Sequence, residues 1–347
     1  MVKWTQVDTP PAGGREVAIS TRRLLIFTGK GGCGKSALAA ATALDAAREG
    51  RRVLIAEAGV RAEHPGRLHA LFGTRPLGPE PVRISPGIWG VRIEAEAALR
   101  SYVLRRVRFD TIYRLAFERP SVRNTIAFFP GLKELMVLWR LRELECAKSR
   151  RRPRYDLVIF DAPSTGLVMF LLQLPQVVVQ ILRTGVFARD AADIYALLSD
   201  PARTQILIAT LPEELPALEA RDLWQRLQSL PSPASAGIVV NAVLEGIRDV
   251  DPLPRLTSPR ARRDPVLAAV EATMGRDALR GIVHANRLLL QRREGFGRHL
   301  GILRDTQAPI WTVPFVPPTT EDEQSWTLRL AEAVRIAGLT TSLEAPA

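Results

Sequence analysis

One segment, Gly29 to Ser36, constrains the fold more than any other part of this chain of 347 residues. Its sequence, GKGGCGKS, matches the phosphate-loop pattern G-x-x-x-x-G-K-[ST]. The apolar run Leu24 to Thr28 precedes it, and the alanine-rich stretch Ser36 to Glu49 follows it and ends at Gly50. The motif therefore lies between a predicted strand and a predicted helix, which is the context that a phosphate loop requires.

The residues of this loop suit a site for ATP and Mg²⁺. Glycines let backbone amides converge on phosphate oxygens, because side chains there would block the approach and restrict the dihedral angles. Lys35 is expected to reach the β and γ phosphates, and the Ser36 hydroxyl is expected to ligate Mg²⁺. The start of the following helix adds a partial positive charge. The predicted nucleotide contacts in the loop are Gly29, Lys30, Gly31, Gly32, Cys33, Gly34, Lys35 and Ser36.

Continuous apolar runs recur along the chain between helical stretches. Such runs, unlike alternating ones, belong to a sheet that is covered on both faces. Their alternation with helices implies right-handed crossovers and parallel pairing. We therefore predict an α/β fold, a doubly wound parallel sheet of the P-loop NTPase type with an inserted helical subdomain. The predicted strands are Leu24 to Thr28, Val53 to Glu57, Leu157 to Asp161, Ile206 to Thr210, Ile238 to Asn241 and Ile310 to Val313.

A single P-loop ATPase domain over residues 21–340 is predicted to account for most of the length. Between about 94 and 152 no strand is evident, and apolar residues recur at helical spacing among arginines, which predicts a helical insertion. A second helical insertion is predicted at about 166–198, and a third helical region from Asp264 to about Arg298. Residues 1–20 are interpreted as a flexible N-terminal extension and residues 341–347 as a tail.

A second acidic motif lies at the end of the predicted strand Leu157 to Asp161. A carboxylate at the carboxyl end of a strand beside a phosphate loop can hold the water shell of Mg²⁺. Asp161 is therefore predicted to be a catalytic and metal-binding residue, with Ser36 as the other metal contact. Gly166 would permit the segment after Asp161 to respond to the γ phosphate. The alternative is an aspartate that only caps its strand.

With these motifs the chain resembles the ArsA-like family, which includes arsenical pump ATPases and the ATPases of guided entry of tail-anchored proteins. The matching segments span most of the chain, from about residue 24 to residue 316. They are Gly29 to Ser36, Asp161 to Gly166, Pro130 to Glu134, Leu211 to Glu214, and Val240 with Asn241.

The resemblance implies a dimer whose two protomers enclose the nucleotides. The dimer would form either between two copies of this chain or with a paralogue. Lys30, the additional lysine that marks the deviant Walker A form, would reach across the dimer to the partner's nucleotide and neutralise charge alongside Lys35. By the same analogy Asn241 would contact adenine, and Pro314 and Phe315 would line the base.

In that family the helical insertions form a hydrophobic surface for a client helix, which makes a hydrophobic protein client the expected partner. Methionine and leucine surfaces suit variable apolar helices. The alternative is that the same residues pack the helical lobe, because apolar helical stripes are usually core. The candidate surface consists of Leu132, Leu135, Met136, Leu138, Trp139, Val168, Met169, Phe170, Leu171 and Leu172.

The chain departs from the family where an aspartate usually orients the attacking water. After the predicted strand that ends at Glu57 the sequence continues with Ala58 and Gly59, so the carboxylate is missing or moved. Glu57 is the candidate replacement and hence a candidate catalytic residue, if its side chain reaches the γ phosphate. Glu63 lies in a loop whose path the sequence does not predict, and Leu167 stands where histidine is usual. Slow or absent hydrolysis with intact binding is the consequence to test.

Charge indicates little about the partner. The 48 basic and 36 acidic residues give a net charge of +12, which attracts any polyanion but also arises from an arginine-rich proteome. Without aromatic interleaving or a recognition helix, no specific nucleic-acid partner is predicted.

Cysteine content and hydropathy favour a cytoplasmic protein. The two cysteines, Cys33 and Cys146, are far apart and cannot supply a zinc-bridged dimer or a three-thiolate arsenite site. The apolar stretch Leu167 to Leu182 is shorter than the roughly 20 residues that cross a bilayer, so no transmembrane segment is predicted.

Three functions remain to be compared. The leading hypothesis is an ATP-hydrolysing ArsA-like protein whose nucleotide state controls a helical client-binding lobe, for example in membrane-protein targeting. The second is a non-hydrolysing, nucleotide-gated assembly subunit that works beside an active paralogue. The third is a positioning ATPase similar to MinD or ParA, against which the long helical insertion argues.

Overall fold

The computed structural model describes residues 22–59, 66–106, 131–230, 235–244, 265–317 and 322–339. Several predictions from the sequence fall outside these ranges: the N-terminal extension, the tail, Glu63 and Pro130.

An eight-stranded sheet forms the centre of the described structure, in the order β10-β9-β8-β1-β7-β2-β4-β3. All neighbouring strands pair in parallel except β3, which runs antiparallel to β4 at one edge. The predicted α/β fold is thus confirmed, with an antiparallel edge strand added. The strands are β1 (Leu24–Gly29), β2 (Val53–Gly59), β3 (Val82–Ser85), β4 (Ile88–Glu94), β7 (Leu157–Asp161), β8 (Thr204–Thr210), β9 (Ser235–Val243) and β10 (Ile310–Pro314).

Two strands of this sheet, β3 and β4, were not predicted from the sequence. The prediction that no strand lies between residues 94 and 152 is wrong near its carboxyl end, where a short strand lies at Lys148–Ser149. Gly90 and Arg92 interrupt the apolar pattern of β4 although the strand lies next to β2 inside the sheet. A separate two-stranded ribbon consists of β5 (Lys148–Ser149) and β6 (Arg152–Pro153). Such short strands, which contain no large hydrophobic residue, leave no hydrophobic signal in the sequence.

Helices cover both faces of the sheet. The predicted helix after the phosphate loop runs from Lys35 to Arg48, and Gly50 adopts a positive φ of 84° just beyond it. The predicted helical region 166–198 consists of two helices that separate at Arg183 to Gly185. The helices are α1 (Lys35–Arg48), α2 (Leu68–Leu71), α3 (Ala95–Arg106), α4 (Leu132–Glu145), α5 (Thr165–Leu182), α6 (Val186–Ser199), α7 (Glu214–Gln228), α8 (Pro265–Met274), α9 (Arg276–Arg304) and α10 (Glu323–Ile336).

Two hydrophobic clusters lie on opposite faces of the sheet. One contains Ile26 and Phe160 and extends into α4, α5 and α6. The other contains Phe27 and Ile159 and is covered by α1 and α10. Alternate residues of the central strands thus point into different clusters, as the two-residue period of a strand requires. Because both faces are covered, the central strands read as continuous apolar runs.

Candidate nucleotide site

Two glycines of the phosphate loop are required by the backbone and by their neighbours. Gly29 ends β1 with a φ of 143°, and a Cβ atom there would lie 2.1 Å from the carbonyl oxygen of Ala209. Gly34 precedes α1 with a φ of 85°, and a Cβ atom there would lie 2.3 Å from Nδ2 of Asn241. A side chain at Gly29 would therefore displace the loop or strand β8, and a side chain at Gly34 would strain the backbone and displace the Asn241 side chain.

The side chains of Lys35 and Ser36 lie at the start of α1, where the phosphate-loop motif predicts them. Lys35 Nζ donates a hydrogen bond to the carbonyl oxygen of Lys30 at 3.1 Å, across the loop. Ser36 Oγ donates to Oδ2 of Asp161 at 2.6 Å. Asp161 comes from the end of β7, which pairs directly with β1. The two motifs, separated by 125 residues, thus meet at the carboxyl end of the sheet.

Asp161 is a buried carboxylate with spare capacity for a ligand. Its Oδ1 atom is buried and has no hydrogen-bond partner among the described residues. Burial raises the pKa of this carboxyl to about 6, and the negative charge of Glu57 adds to the rise, whereas the Ser36 hydrogen bond and Lys35 lower it. An unpaired carboxylate oxygen beside a hydroxyl is the hard-oxygen donor set that Mg²⁺ binds. The side chains therefore fit the metal predicted from the sequence.

Glu57 lies beside Asp161 in the sheet, since the two residues are register partners on β2 and β7. Its carboxylate is engaged: Oε1 accepts a hydrogen bond from the backbone N–H of Arg67 at 2.6 Å. A Cβ atom on Gly66 would lie 1.8 Å from Oε2 of Glu57. Glu57 thus holds the chain at Gly66 and Arg67, and whether it also orients water stays a prediction. Ala58, the next residue, offers no carboxylate.

Arg92 is a buried residue of the site region that sequence reasoning missed. It lies on β4 in register with Glu57, and Nη1 of Arg92 is 3.7 Å from Oε2 of Glu57. Its Nε is 3.3 Å from Oε1 of Glu94. Only 5% of Arg92 is exposed. Its buried positive charge partly compensates the negative charges of the carboxylates packed between β7 and β4. An arginine inside an apolar strand was the signal available in the sequence.

Lys30 is bound within its own chain. Its Nζ lies 2.6 Å from Oε1 of Glu219, a residue of α7 that sequence reasoning did not identify. Both side chains are about two-fifths exposed, at 37% and 43%. The pair joins the loop to α7, the helix that begins at Glu214, the last residue of the motif Leu211 to Glu214.

Asn241 contacts the phosphate loop directly. Its Nδ2 donates to the carbonyl oxygen of Cys33 at 3.1 Å, so the end region of β9 holds the loop's backbone. Pro314 ends β10, and the backbone N–H of Phe315 donates to the carbonyl oxygen of Val243 at 2.8 Å. Phe315 is about half exposed, at 47%. The adenine contacts assigned to Asn241, Pro314 and Phe315 remain predictions.

The structure contradicts most of the predicted client surface, because most of its residues are buried. Seven of its residues are buried in the hydrophobic core, namely Leu135, Met136, Leu138, Trp139, Val168, Leu171 and Leu172. They pack α4 against α5 and the sheet, which is the alternative that the helical pattern left open. Phe170 is exposed, and Leu132 and Met169 are partly buried.

A different apolar face is exposed on α5 and α6. Together with Phe170 it consists of Val177, Ile181, Leu182, Val186 and Phe187. We refer to these six residues as the α5–α6 face. Ile181 is the most exposed of them, at 72%.

Helix α5 is also long and apolar enough to pass a test for a membrane span, with 18 residues and a mean hydropathy of 1.8. It is the one helix among the described residues that does so. Core helices of soluble proteins pass the same test, and 28% of α5 is buried. Val168, Leu171 and Leu172 anchor α5 in the core.

Several known proteins are similar in sequence to this chain. The family model for anion-transporting ATPases of the ArsA type matches residues 22–191. The ATPase BagA of Mycobacterium tuberculosis is 30% identical over 251 residues, which cover 67% of this chain and 70% of that protein. The arsenical pump-driving ATPase of Acidiphilium multivorum is 30% identical over 159 residues, which cover 44% of this chain and 25% of that protein.

Proposed function

Because this chain belongs to the ArsA family of ATPases, we propose that it binds ATP with Mg²⁺ at the phosphate loop and hydrolyses it, releasing the γ phosphate. The observation that carries the proposal is the contact between Ser36 Oγ and Asp161 Oδ2 at 2.6 Å, beside a carboxylate oxygen that has no partner in the described structure. Both residues lie at the carboxyl end of parallel strands, where α/β sheets bind ligands.

Each polar side chain of the site has a role in this proposal. Bound Mg²⁺ would neutralise charge on the β and γ phosphates. Ser36 and Asp161 would hold the metal through oxygen atoms, and Lys35 would exchange its bond to the Lys30 carbonyl for the phosphates. Asn241 would keep the backbone amides of the loop aimed at the phosphates by holding the Cys33 carbonyl. Glu57 is the proposed orienting residue for water.

A dimer that encloses the nucleotides completes the proposed site. In it, Lys30 of each protomer would serve as the deviant lysine and reach the partner's nucleotide. Lys30 first has to leave Glu219, and a pair this exposed contributes less than about 1 kcal/mol. The cost of releasing Lys30 is therefore small compared with the charge neutralisation that phosphoryl transfer needs.

The proposed client site is the α5–α6 face, in a protein that acts in the cytoplasm. Six exposed apolar side chains on two adjoining helices offer a surface on which an apolar helix can pack. Nucleotide state could reach this face because α5 begins at Thr165, four residues after Asp161. Segments that directly follow a phosphate-sensing aspartate are the ones that reorganise on hydrolysis.

A second candidate function is a nucleotide-gated subunit without hydrolysis. It is favoured by the engagement of Glu57 with the backbone N–H of Arg67, because a carboxylate used to hold the chain is less available to orient water. The absence of a carboxylate at Ala58 and Gly59 favours it as well.

Phosphate release from Mg-ATP by the purified protein tests the proposal, with ATP binding measured independently. Lys35→Ala should lose binding and turnover together. Lys30→Ala should keep binding and lose turnover, which also controls for contaminating ATPases. ATP binding without phosphate release by the parent would reject hydrolysis and leave the second candidate. No ATP binding would reject both.

Client binding needs its own test. We expect a Phe170→Ser, Val177→Ser, Ile181→Ser variant to lose capture of a soluble apolar helical peptide in the presence of ATP. A matched control replaces three exposed apolar residues elsewhere, Val82, Leu215 and Ile336, with serine. Equal capture by both variants would reject the α5–α6 face as the client site.

A further inference from the structure

The end of the sheet opposite the phosphate loop carries a concentration of positive charge. Basic residues precede β8, β1, β7 and β2, which are four adjacent strands of the sheet. At about 4.8 Å per strand, these starting points span roughly 14 Å. We call this set the amino-edge cluster: Arg22, Arg23, Arg51, Arg52, Lys148, Arg150, Arg151, Arg152, Arg154 and Arg203.

Few carboxylates balance the amino-edge cluster. Glu145 is buried and pairs with Arg23 at 2.8 Å and with Arg203 at 2.7 Å. Asp156 pairs with Arg52 at 2.7 Å. The negative charges of Asp200 and Glu49 also act on Arg22 and Arg51. Among the described residues, these four carboxylates pair with or act on members of a cluster of ten cations, which leaves this end of the sheet strongly positive.

The unpaired charge is concentrated on the ribbon β5–β6. Lys148, Arg150, Arg151 and Arg152 are exposed and form no side-chain ion pair or hydrogen bond with the residues that the structure describes. Arg154 is exposed as well and lies over the ring of Tyr155. The ribbon therefore presents five cations to solvent.

The turn of this ribbon does not itself call for arginine. Arg150 and Arg151 are its two central residues, and both have positive φ, at 48° and 68°. Two positive φ angles define a type I′ turn, for which Asn-Gly is the favoured sequence and bulky residues are strained. Arginine at both positions thus opposes the local backbone preference. Strained backbone positions of this kind cluster at functional sites.

We propose that the amino-edge cluster, with the β5–β6 ribbon foremost, docks the protein on an anionic lipid bilayer. Guanidinium groups bind phosphate oxygens with two parallel hydrogen bonds. The starting points of these four adjacent strands lie along one edge of the sheet, so several cations of the cluster can meet the surface of a bilayer together. Tyr155, the aromatic residue next to the ribbon, is buried, so it offers no ring for the base stacking by which single-stranded nucleic acid is held.

The docking geometry leaves the nucleotide site free. The phosphate loop and Asp161 lie at the carboxyl end of the strands, and the cluster lies at their amino end. A protein adsorbed through the cluster would thus keep its nucleotide site directed away from the lipid. The proposal does not depend on ATP hydrolysis, and it is tested without nucleotide.

Binding to lipid vesicles of defined composition tests this inference with the full-length protein. Flotation with vesicles of phosphatidylcholine containing about one-third phosphatidylglycerol is compared with flotation on phosphatidylcholine alone. Each cation near an anionic surface strengthens binding by about 1 kcal/mol, which is about fivefold. The triple variant Arg150→Asn, Arg151→Gly, Arg152→Gln should therefore lose at least about tenfold in the partition coefficient.

Two controls make the result specific. The control variant Arg280→Gln, Arg292→Gln, Arg298→Gln removes the same charge from exposed positions on α9 and should keep most of the binding. The variant Arg150→Lys, Arg151→Lys, Arg152→Lys keeps the positive charge of the ribbon and should still bind the anionic vesicles. Because Asn-Gly suits a type I′ turn, the triple ribbon variant should melt no lower than the parent.

Three results would overturn the inference. The first is binding to anionic vesicles no stronger than to phosphatidylcholine. The second is equal loss in the ribbon variant and in the α9 control, which would indicate net charge alone. The third is tighter binding to DNA or RNA than to anionic vesicles at equal phosphate concentration, which would assign the cluster to nucleic acid. ATP binding should be unchanged in the ribbon variant, so failure here is distinguishable from failure of the nucleotide site.

Discussion

Lys30 Nζ contacts Oε1 of Glu219 at 2.6 Å within one chain, although the two residues are 189 positions apart. The lysine that would serve the partner's nucleotide in the proposed dimer is thus held by a carboxylate on α7. Since the Lys30–Glu219 pair and the proposed dimer compete for Lys30, Glu219 sets part of the cost of reaching the active state.

Glu219→Gln should raise steady-state phosphate release about twofold to threefold, because an exposed pair of this kind contributes roughly 0.5 kcal/mol. Added salt should raise the turnover of the parent and leave the variant nearly unchanged, since screening weakens the same pair. Glu214→Gln, an exposed carboxylate on the same helix, is the control. Turnover of Glu219→Gln at or below that of the parent would contradict the competition.

Gly29→Ala should destabilise the protein, whereas Gly31→Ala should have little effect on its stability. A methyl group on Gly29 would meet the Ala209 carbonyl oxygen at 2.1 Å, but a methyl group on Gly31 meets nothing within 4 Å. We expect Gly29→Ala to lower the free energy of unfolding by about 2 kcal/mol or more and Gly31→Ala by less than about 0.5 kcal/mol. Urea unfolding without nucleotide measures both. Equal losses would mean that the close approach of β1 and β8 relaxes freely.

Asp161→Asn should stabilise the nucleotide-free protein above pH 6 while it abolishes Mg²⁺-dependent ATP binding. Burial raises the folded-state pKa of Asp161 to about 6, from 3.8. The folded state therefore holds this proton more tightly than the unfolded state, so above pH 6 the ionised carboxyl lowers the stability of the fold by about 3 kcal/mol.

The stabilisation by Asp161→Asn should shrink as the pH falls from about 6 to about 4, where the parent carboxyl is protonated in the fold. Unfolding of parent and variant at pH 8 and pH 4.5 measures the difference. A variant that is less stable than the parent at pH 8 would show that the Ser36 hydrogen bond outweighs the burial of the charge.

Glu57 and Arg92 should behave as a coupled pair. Replacing either residue alone with methionine leaves a buried charge without this partner, which costs roughly 3 kcal/mol. The double variant should lose at least about 1 kcal/mol less than the sum of the single losses. Urea unfolding of the four proteins measures this coupling. Strict additivity would mean that the contact at 3.7 Å contributes nothing.

A separate measurement addresses the proposed catalytic role of Glu57. Glu57→Gln keeps an acceptor for the Arg67 N–H and removes the negative charge. If Glu57 orients water, phosphate release should fall at least about a hundredfold with ATP binding retained. If turnover is retained, Glu57 does not orient water, and its remaining role is to hold the chain at Gly66 and Arg67.

The sequence by itself determined the parts of the protein that are encoded locally. The phosphate loop, the helix behind it and the strand ending at Asp161 were predicted because contiguous residues carry both the conformation and the chemistry. The sheet's central strands were predicted for the same reason, since burial on both faces makes each one a continuous apolar run. β4 was missed because Gly90 and Arg92 break that run.

Only the tertiary structure decided which distant residues meet. The pairs Lys30 with Glu219 and Asn241 with Cys33 are separated by 189 and 208 residues, and nothing in the local pattern of either partner specifies the other. Helical periodicity likewise predicted an apolar side of α4 and α5 but not which side other elements would cover, so residues expected at the surface lie in the core. Local sequence sets the conformation and polarity of a segment, whereas contacts between segments depend on how the whole chain packs.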